Sequence, residues 1–89
     1  MIGQATWLLT MLVLPTLWSP NTWDGSRSSD WNTTDNWSGN YLPTYSNYVT
    51  IPNIVPIPVI SSGANAKCYS LTLENGATIE INGNLEVEN

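Results

Sequence analysis

The sequence contains no histidine, no phenylalanine, a single cysteine and only two basic residues. A cysteine–histidine zinc site or a serine–histidine–aspartate centre therefore cannot form within this chain, and an internal disulfide is excluded. Because Arg27 and Lys67 are the only cations against a net charge of −5, the chain cannot neutralise a run of phosphates. These absences predict no nucleic-acid partner, no metal, no cofactor and no catalytic residue, and hence no enzyme.

The first part of the sequence is uncharged and apolar. Residues 1–23 contain no charged side chain, and residues 5–18 form an apolar run interrupted only by three threonines and a proline. This run is shorter than the ~20 residues of a membrane-spanning helix and has the length of the apolar region of a secretory signal. We expect residues 1–20 to be an export-signal-like segment that meets the membrane only transiently. The alternative is a first strand or helix covering one end of the core.

Three tryptophans separated by polar turn residues dominate the middle of the sequence. Trp23, Trp31 and Trp37 alternate with turn formers such as Asp24-Gly25, and no helical period is visible. This pattern predicts a Trp- and Asn-rich capping region that spans residues 21–60, in which the indoles plug the end of a small β core. The alternative is an exposed sugar-stacking platform made of the same three rings and Tyr41.

The last third, residues 61–89, is predicted to form β-ladder repeats. Apolar and polar side chains alternate over residues 71–74, 79–82 and 85–88, and Asn-Gly turns follow the first two units. Antiparallel hairpins, as in a small sandwich, and stacked rungs of a β-solenoid both fit this pattern. On either architecture the outward face carries four acids, namely Glu74, Glu80, Glu86 and Glu88.

The expected fold class is therefore all-β, either short β-solenoid (parallel β-helix) coils or a small sandwich, capped by a Trp-rich loop region. A strand is predicted over residues 48–51, and Pro52 ends it because proline cannot donate to a ladder. Two further prolines then keep residues 54–60 in an extended, edge-like path.

A series of short motifs resembles a known family in order and spacing. They are TWDG at 22–25, SDWN at 29–32, NWS at 36–38, LPT at 42–44, VTIP at 49–52 and CYSLTL at 68–73. The chain resembles the N-terminal region of large, secreted, adhesin-like proteins of Gram-negative bacteria with a right-handed parallel β-helix. The resemblance implies an extracellular or cell-surface location and further β coils as partners.

Three functional hypotheses follow, and none is catalytic. The first is a secreted or cell-surface structural or adhesive β module. The second is a self-assembling extracellular filament subunit, in which copies join by strand addition at an edge that includes Leu85 and Val87. The third is a carbohydrate-binding module that stacks glycans on surface tryptophan and tyrosine rings.

Overall fold

The computed structural model describes residues 20–89, and the fold of these residues is all-β, as predicted. The predicted export-signal-like segment, residues 1–20, lies outside the described residues except for Pro20. Within residues 20–89, no helix has the length and apolar character to cross a membrane. The regular elements are β1 (Asn21–Thr22), a 3-10 helix (Thr34–Asn36), β2 (Tyr48–Ile51), β3 (Val59–Ile60), β4 (Asn65–Cys68), β5 (Ser70–Leu73), β6 (Glu80–Ile81) and β7 (Asn84–Val87).

The strands pair in three parallel ladders, β1–β2–β5, β3–β6 and β4–β7. We call β2, β3 and β4 the upper layer and β5, β6 and β7 the lower layer. Each upper strand pairs with the lower strand that follows it by about 20 residues, within the range of known structural repeats. The hairpin alternative, and a sandwich built from hairpins, is therefore wrong for these strands, because a hairpin requires antiparallel neighbours in sequence.

Ladder pairing begins earlier in the chain than the sequence suggested. The capping region was expected to extend over residues 21–60, yet β2 and β3 lie within it and pair with β5 and β6. The prolines permit this because Pro52 and Pro58 flank the strands and remove no donor from inside them. The part of this region between β1 and β2, residues 23–47, is called the cap below.

One apolar core joins the cap to the upper layer. Alternate residues of the upper strands point inward, so Val49 and Ile51 of β2, Ile60 of β3 and Cys68 of β4 are fully buried. The three tryptophans of the cap complete the same cluster. Burying an aliphatic side chain of this size contributes about 1.5–3 kcal/mol, so the contact between cap and upper layer is a large apolar contribution to the fold.

Candidate functional site

Three tryptophan side chains close the upper end of the core. Trp37 packs edge-to-face against Trp23 and Trp31, with ring centroids 5.3 and 4.7 Å apart. The indole N–H of Trp23 donates to the carbonyl of Pro56 at 2.8 Å, and that of Trp37 donates to the carbonyl of Trp31 at 2.9 Å. Because these buried polar groups have partners, the rings can fill the core without a desolvation cost.

This burial corrects the sugar-platform hypothesis. Trp23, Trp31 and Trp37 are at most 1% exposed, so no ring presents a face to a saccharide. The physical reason is the size of the domain, since a small core relies on its largest apolar side chains for stability. Tyr41 is 44% exposed, but the structure does not place it beside an exposed tryptophan. The interpretation of the indoles as core plugs agrees with the geometry.

Asn36 organises the cap through its side chain. It is fully buried at the end of the 3-10 helix, and its Oδ1 accepts the backbone N–H groups of Arg27 and Ser28 at 2.7 and 2.9 Å. Its Nδ2 donates to Ser28 Oγ and to the carbonyl of Asp30. The sequence marked Asn36 only as a turn former. Its buried position depends on hydrogen bonds to residues such as Ser28, which is eight positions away, and a local sequence pattern does not reveal such bonds.

The lower layer presents an apolar surface on the side away from the cap. Leu73, Ile81 and Val87 are the register partners of buried residues in the upper layer, yet they are 44%, 50% and 42% exposed. Leu71, Ile79 and Leu85 are partly buried beside them. The two residues predicted for edge pairing, Leu85 and Val87, thus both lie on the last strand of this surface. We call it the open layer.

A groove of about 430 Å³ separates the cap from β4. Its apolar lining comes from Trp31, Leu42, Pro43 and Ala66. Its polar lining comes from Asn32, Thr44, Asn65 and Lys67. The volume lies within the range of small-ligand pockets in proteins. The sequence did not suggest this groove, because it is formed by residues more than 20 positions apart.

Residues 22–89 match the family described as "Domain of unknown function (DUF8693)". The chain belongs to the DUF8693 family. The matched range of the DUF8693 domain contains the cap, both layers and every site described above. No curated protein and no solved structure matches the chain.

The charges of the DUF8693 domain are unevenly placed. The four glutamates predicted to face outward are all exposed, and residues 70–89 contain no lysine or arginine. Arg27 forms an exposed ion pair with Asp35, with an N–O distance of 2.9 Å. Lys67 is the register partner of Glu86, and its ammonium lies 5.4 Å from the centre of the Tyr45 ring. The Tyr45 hydroxyl donates to the Glu86 carboxylate, which raises the pKa of Tyr45.

The remaining reactive group of the DUF8693 domain is a buried thiol. Cys68 is free and fully enclosed, and burial raises its pKa, so the nucleophilic thiolate is disfavoured. Among residues 20–89 there is no group of three or more histidine, cysteine, aspartate or glutamate side chains placed to hold a metal ion.

Proposed function

We propose that this DUF8693 domain is a non-catalytic structural or adhesive module that is secreted or displayed on the bacterial cell surface. In this proposal the two layers are consecutive coils of a short parallel β-solenoid, the cap closes its upper end, and the open layer receives the next β coil. The order of the strands supports it, since β2, β3 and β4 are followed by β5, β6 and β7 and each pairs with its counterpart. Such nearest-neighbour stacking is the principle of solenoid proteins.

The observation that carries the proposal is the change in burial between register partners. Ile60 is 1% exposed and its partner Ile81 is 50% exposed, although both point toward the same core. A third layer in the same register would cover Ile81 just as Ile81 covers Ile60. A contiguous apolar surface of this kind is typical of an interaction site.

A cross-link tests whether the layers stack in this register. Val87 is the parallel partner of Cys68, and the ~4.8 Å between neighbouring strands lies within the Cα separations that a disulfide accepts. We expect Val87→Cys to form an intramolecular disulfide with Cys68 on mild oxidation, detected by mass spectrometry after digestion. Glu86→Cys is the matched control, because Glu86 is exposed and pairs with Lys67. Equal cross-linking in both variants, or none in a folded Val87→Cys chain, would contradict the stacking.

The proposed location rests on the apolar segment of residues 1–20 and on the family resemblance. Expression of the full chain in a Gram-negative host, followed by fractionation, tests it. We expect a shortened product outside the cytoplasm, and mass spectrometry would identify the processing position. Full-length chain that stays in the cytoplasm would contradict an exported module.

The filament subunit is a second candidate, favoured by the exposure of Leu73, Ile81 and Val87. Light scattering of the full chain over a range of concentrations tests it. Growing assemblies are expected for the wild type and for Thr72→Asp, which adds an outward charge, but not for Leu73→Asp, which adds the same charge on the open layer. Because the exposed glutamates of residues 74–88 repel those of a second copy, salt should promote this association by screening. A wild type that remains monomeric in high salt would reject the filament.

A further inference from the structure

β1 and the cap supply hydrogen-bonding partners for two of the three upper strands. β1 pairs with β2 along its upper edge, the edge toward the cap. Beside β3, the N–H of Trp31 donates to the carbonyl of Val59, and the N–H of Val59 donates to the carbonyl of Ser29. Among the described residues, no strand or bridge pairs with the upper edge of β4. The third ladder therefore has a vacant position where the other two have a strand or a bridge.

The backbone groups that face this vacancy follow from the pairing on the other side of β4. The N–H of Asn84 donates to the carbonyl of Ala64 at 2.9 Å, and the N–H of Glu88 donates to that of Cys68 at 3.0 Å. Backbone groups of alternate residues in a strand point to opposite neighbours, so Ala66 also faces β7. Asn65 and Lys67 consequently direct their N–H and C=O groups toward the cap, and no backbone hydrogen bond from the cap reaches them.

The chain that passes above β4 is diverted away from it. Pro43 has no N–H to donate, and the N–H of Thr44 is occupied by Asn47 Oδ1 at 2.7 Å. Tyr45 then reaches past β4 to Glu86 on β7. These local bonds hold the segment in a turn rather than a strand, and the groove of about 430 Å³ is the space left between the segment and β4.

We propose that this groove binds a short extended peptide of a partner protein, which adds to the upper edge of β4 as a strand and carries an acidic side chain next to Lys67. Within residues 20–89, Asn65 and Lys67 have no backbone partner for their N–H and C=O groups. Because the residue between them faces the other way, they match the repeat of an extended peptide backbone. Binding by strand addition derives its affinity from such main-chain hydrogen bonds. This site lies at the cap and is independent of the open layer.

The lining of the groove sets the sequence preference of the peptide. Leu42 and Ala66 provide an apolar side for one small or β-branched side chain. The neighbouring side chain points the opposite way along an extended strand, toward Lys67. Lys67 makes no ion pair within the described residues, whereas the only other cation, Arg27, is paired with Asp35. An acidic residue flanked by apolar ones is therefore the expected core of the motif.

Nuclear magnetic resonance titration of the ¹⁵N-labelled full chain tests the proposal. The probe is the acetylated and amidated peptide TVDVT, and TVKVT is its charge-reversed counterpart. We expect TVDVT to shift the amide signals of Asn65 and Lys67 and the side-chain amide of Asn32, while the signals of the lower layer stay in place. Affinity for TVKVT should be about tenfold lower, because one favourable charge contact becomes repulsive. Lys67→Gln should reduce this preference, whereas Arg27→Gln, which removes the same charge elsewhere, should not.

Backbone methylation separates strand addition from a general charge attraction. In one version of TVDVT the aspartate amide is N-methylated, and in a second version the amide of the adjacent valine. Only one of the two amides faces β4 in an added strand, so we expect one version to lose binding by about tenfold and the other to retain it. The proposal would be overturned by equal affinities for both versions, or by no shift at the groove at the highest soluble peptide concentration. It would also be overturned by groove shifts that appear on concentrating the protein alone, because these would indicate a second copy as the occupant.

Discussion

Cys68 of β4 and Val87 of β7 are register partners in a parallel ladder, and the first is fully buried while the second is 42% exposed. The same contrast separates Ile60 from Ile81. Equivalent inward positions thus differ in burial only because the upper layer lies between the cap and the lower layer, whereas the lower layer is covered on one side. Stability should be concentrated at the cap and decline toward the open layer.

Paired alanine substitutions at equivalent positions test this gradient. Ile60→Ala removes a fully buried side chain, so we expect it to lower the free energy of unfolding by about 2–5 kcal/mol. Ile81→Ala removes a half-exposed one, and its cost should be no more than about half as large, in proportion to the apolar area lost. Urea unfolding of the full-length variants measures both. Similar losses at the two positions would mean that the open layer is covered in solution.

The buried thiol provides a second test of the packed upper layer. Cys68 is enclosed and burial raises its pKa, so we expect negligible reaction with a thiol reagent in the folded chain at neutral pH and rapid reaction in urea. The ratio of the two labelling rates measures the opening of β4. The Cys68→Ser variant serves as the blank, because it removes the only thiol. Labelling of the folded chain at the unfolded rate would contradict the burial.

The strands were predictable because their signals are local. Alternation of apolar and polar residues indicated β5, β6 and β7 to within one residue at each end, and Pro52 correctly ended β2. The choice between hairpins and parallel layers was not decided by the sequence, because the same turns serve both. Gly76 has the positive φ of 85° that its turn suggested. Gly83 is needed for another reason, since a side chain there would collide with the carbonyl of Ser61.

The candidate sites were less predictable because they depend on long-range packing. Aromatic content marked Trp31 as important, but only the fold decides whether its ring is buried or exposed. The groove brings together Leu42 and Asn65, two residues with no common sequence signal. The outward position of the glutamates was the exception, because the strand period alone determines which face each residue occupies.

Removal of the buried amide in the cap should be costly. Asn36→Ala leaves the N–H groups of Arg27 and Ser28 without their acceptor, and we expect a loss of about 2–4 kcal/mol in the free energy of unfolding. Asn32→Ala is the matched control, since Asn32 is exposed, and should change stability by less than about 0.5 kcal/mol. Urea unfolding followed by circular dichroism compares the two variants. Similar losses of stability in the two variants would contradict a cap that depends on the hydrogen bonds of Asn36.

Tryptophan fluorescence should report three enclosed indoles. Trp7 and Trp18 lie outside the described residues, so the double variant Trp7→Phe/Trp18→Phe isolates Trp23, Trp31 and Trp37. We expect a blue-shifted emission, weak quenching by acrylamide and no change on addition of soluble glycans, because the three rings are at most 1% exposed. A red-shifted emission that responds to a saccharide would restore the sugar-platform hypothesis.

Alkaline pH should weaken the contact between the cap and β7. The hydrogen bond to Glu86 raises the pKa of Tyr45 above its ordinary value of 10.0, so the folded chain holds this proton more tightly than the unfolded chain. The contribution to stability is therefore complete below about pH 10 and is lost as pH rises through the raised pKa. We expect the stability difference between wild type and Tyr45→Phe to be constant below about pH 10 and to shrink as the pH rises above it into the alkaline range, measured by urea unfolding. Tyr41→Phe is the control, because Tyr41 is equally exposed and its side chain makes no hydrogen bond within the described residues. A difference for Tyr45→Phe that stays constant across this range would show that the hydroxyl is not bonded to the carboxylate in solution.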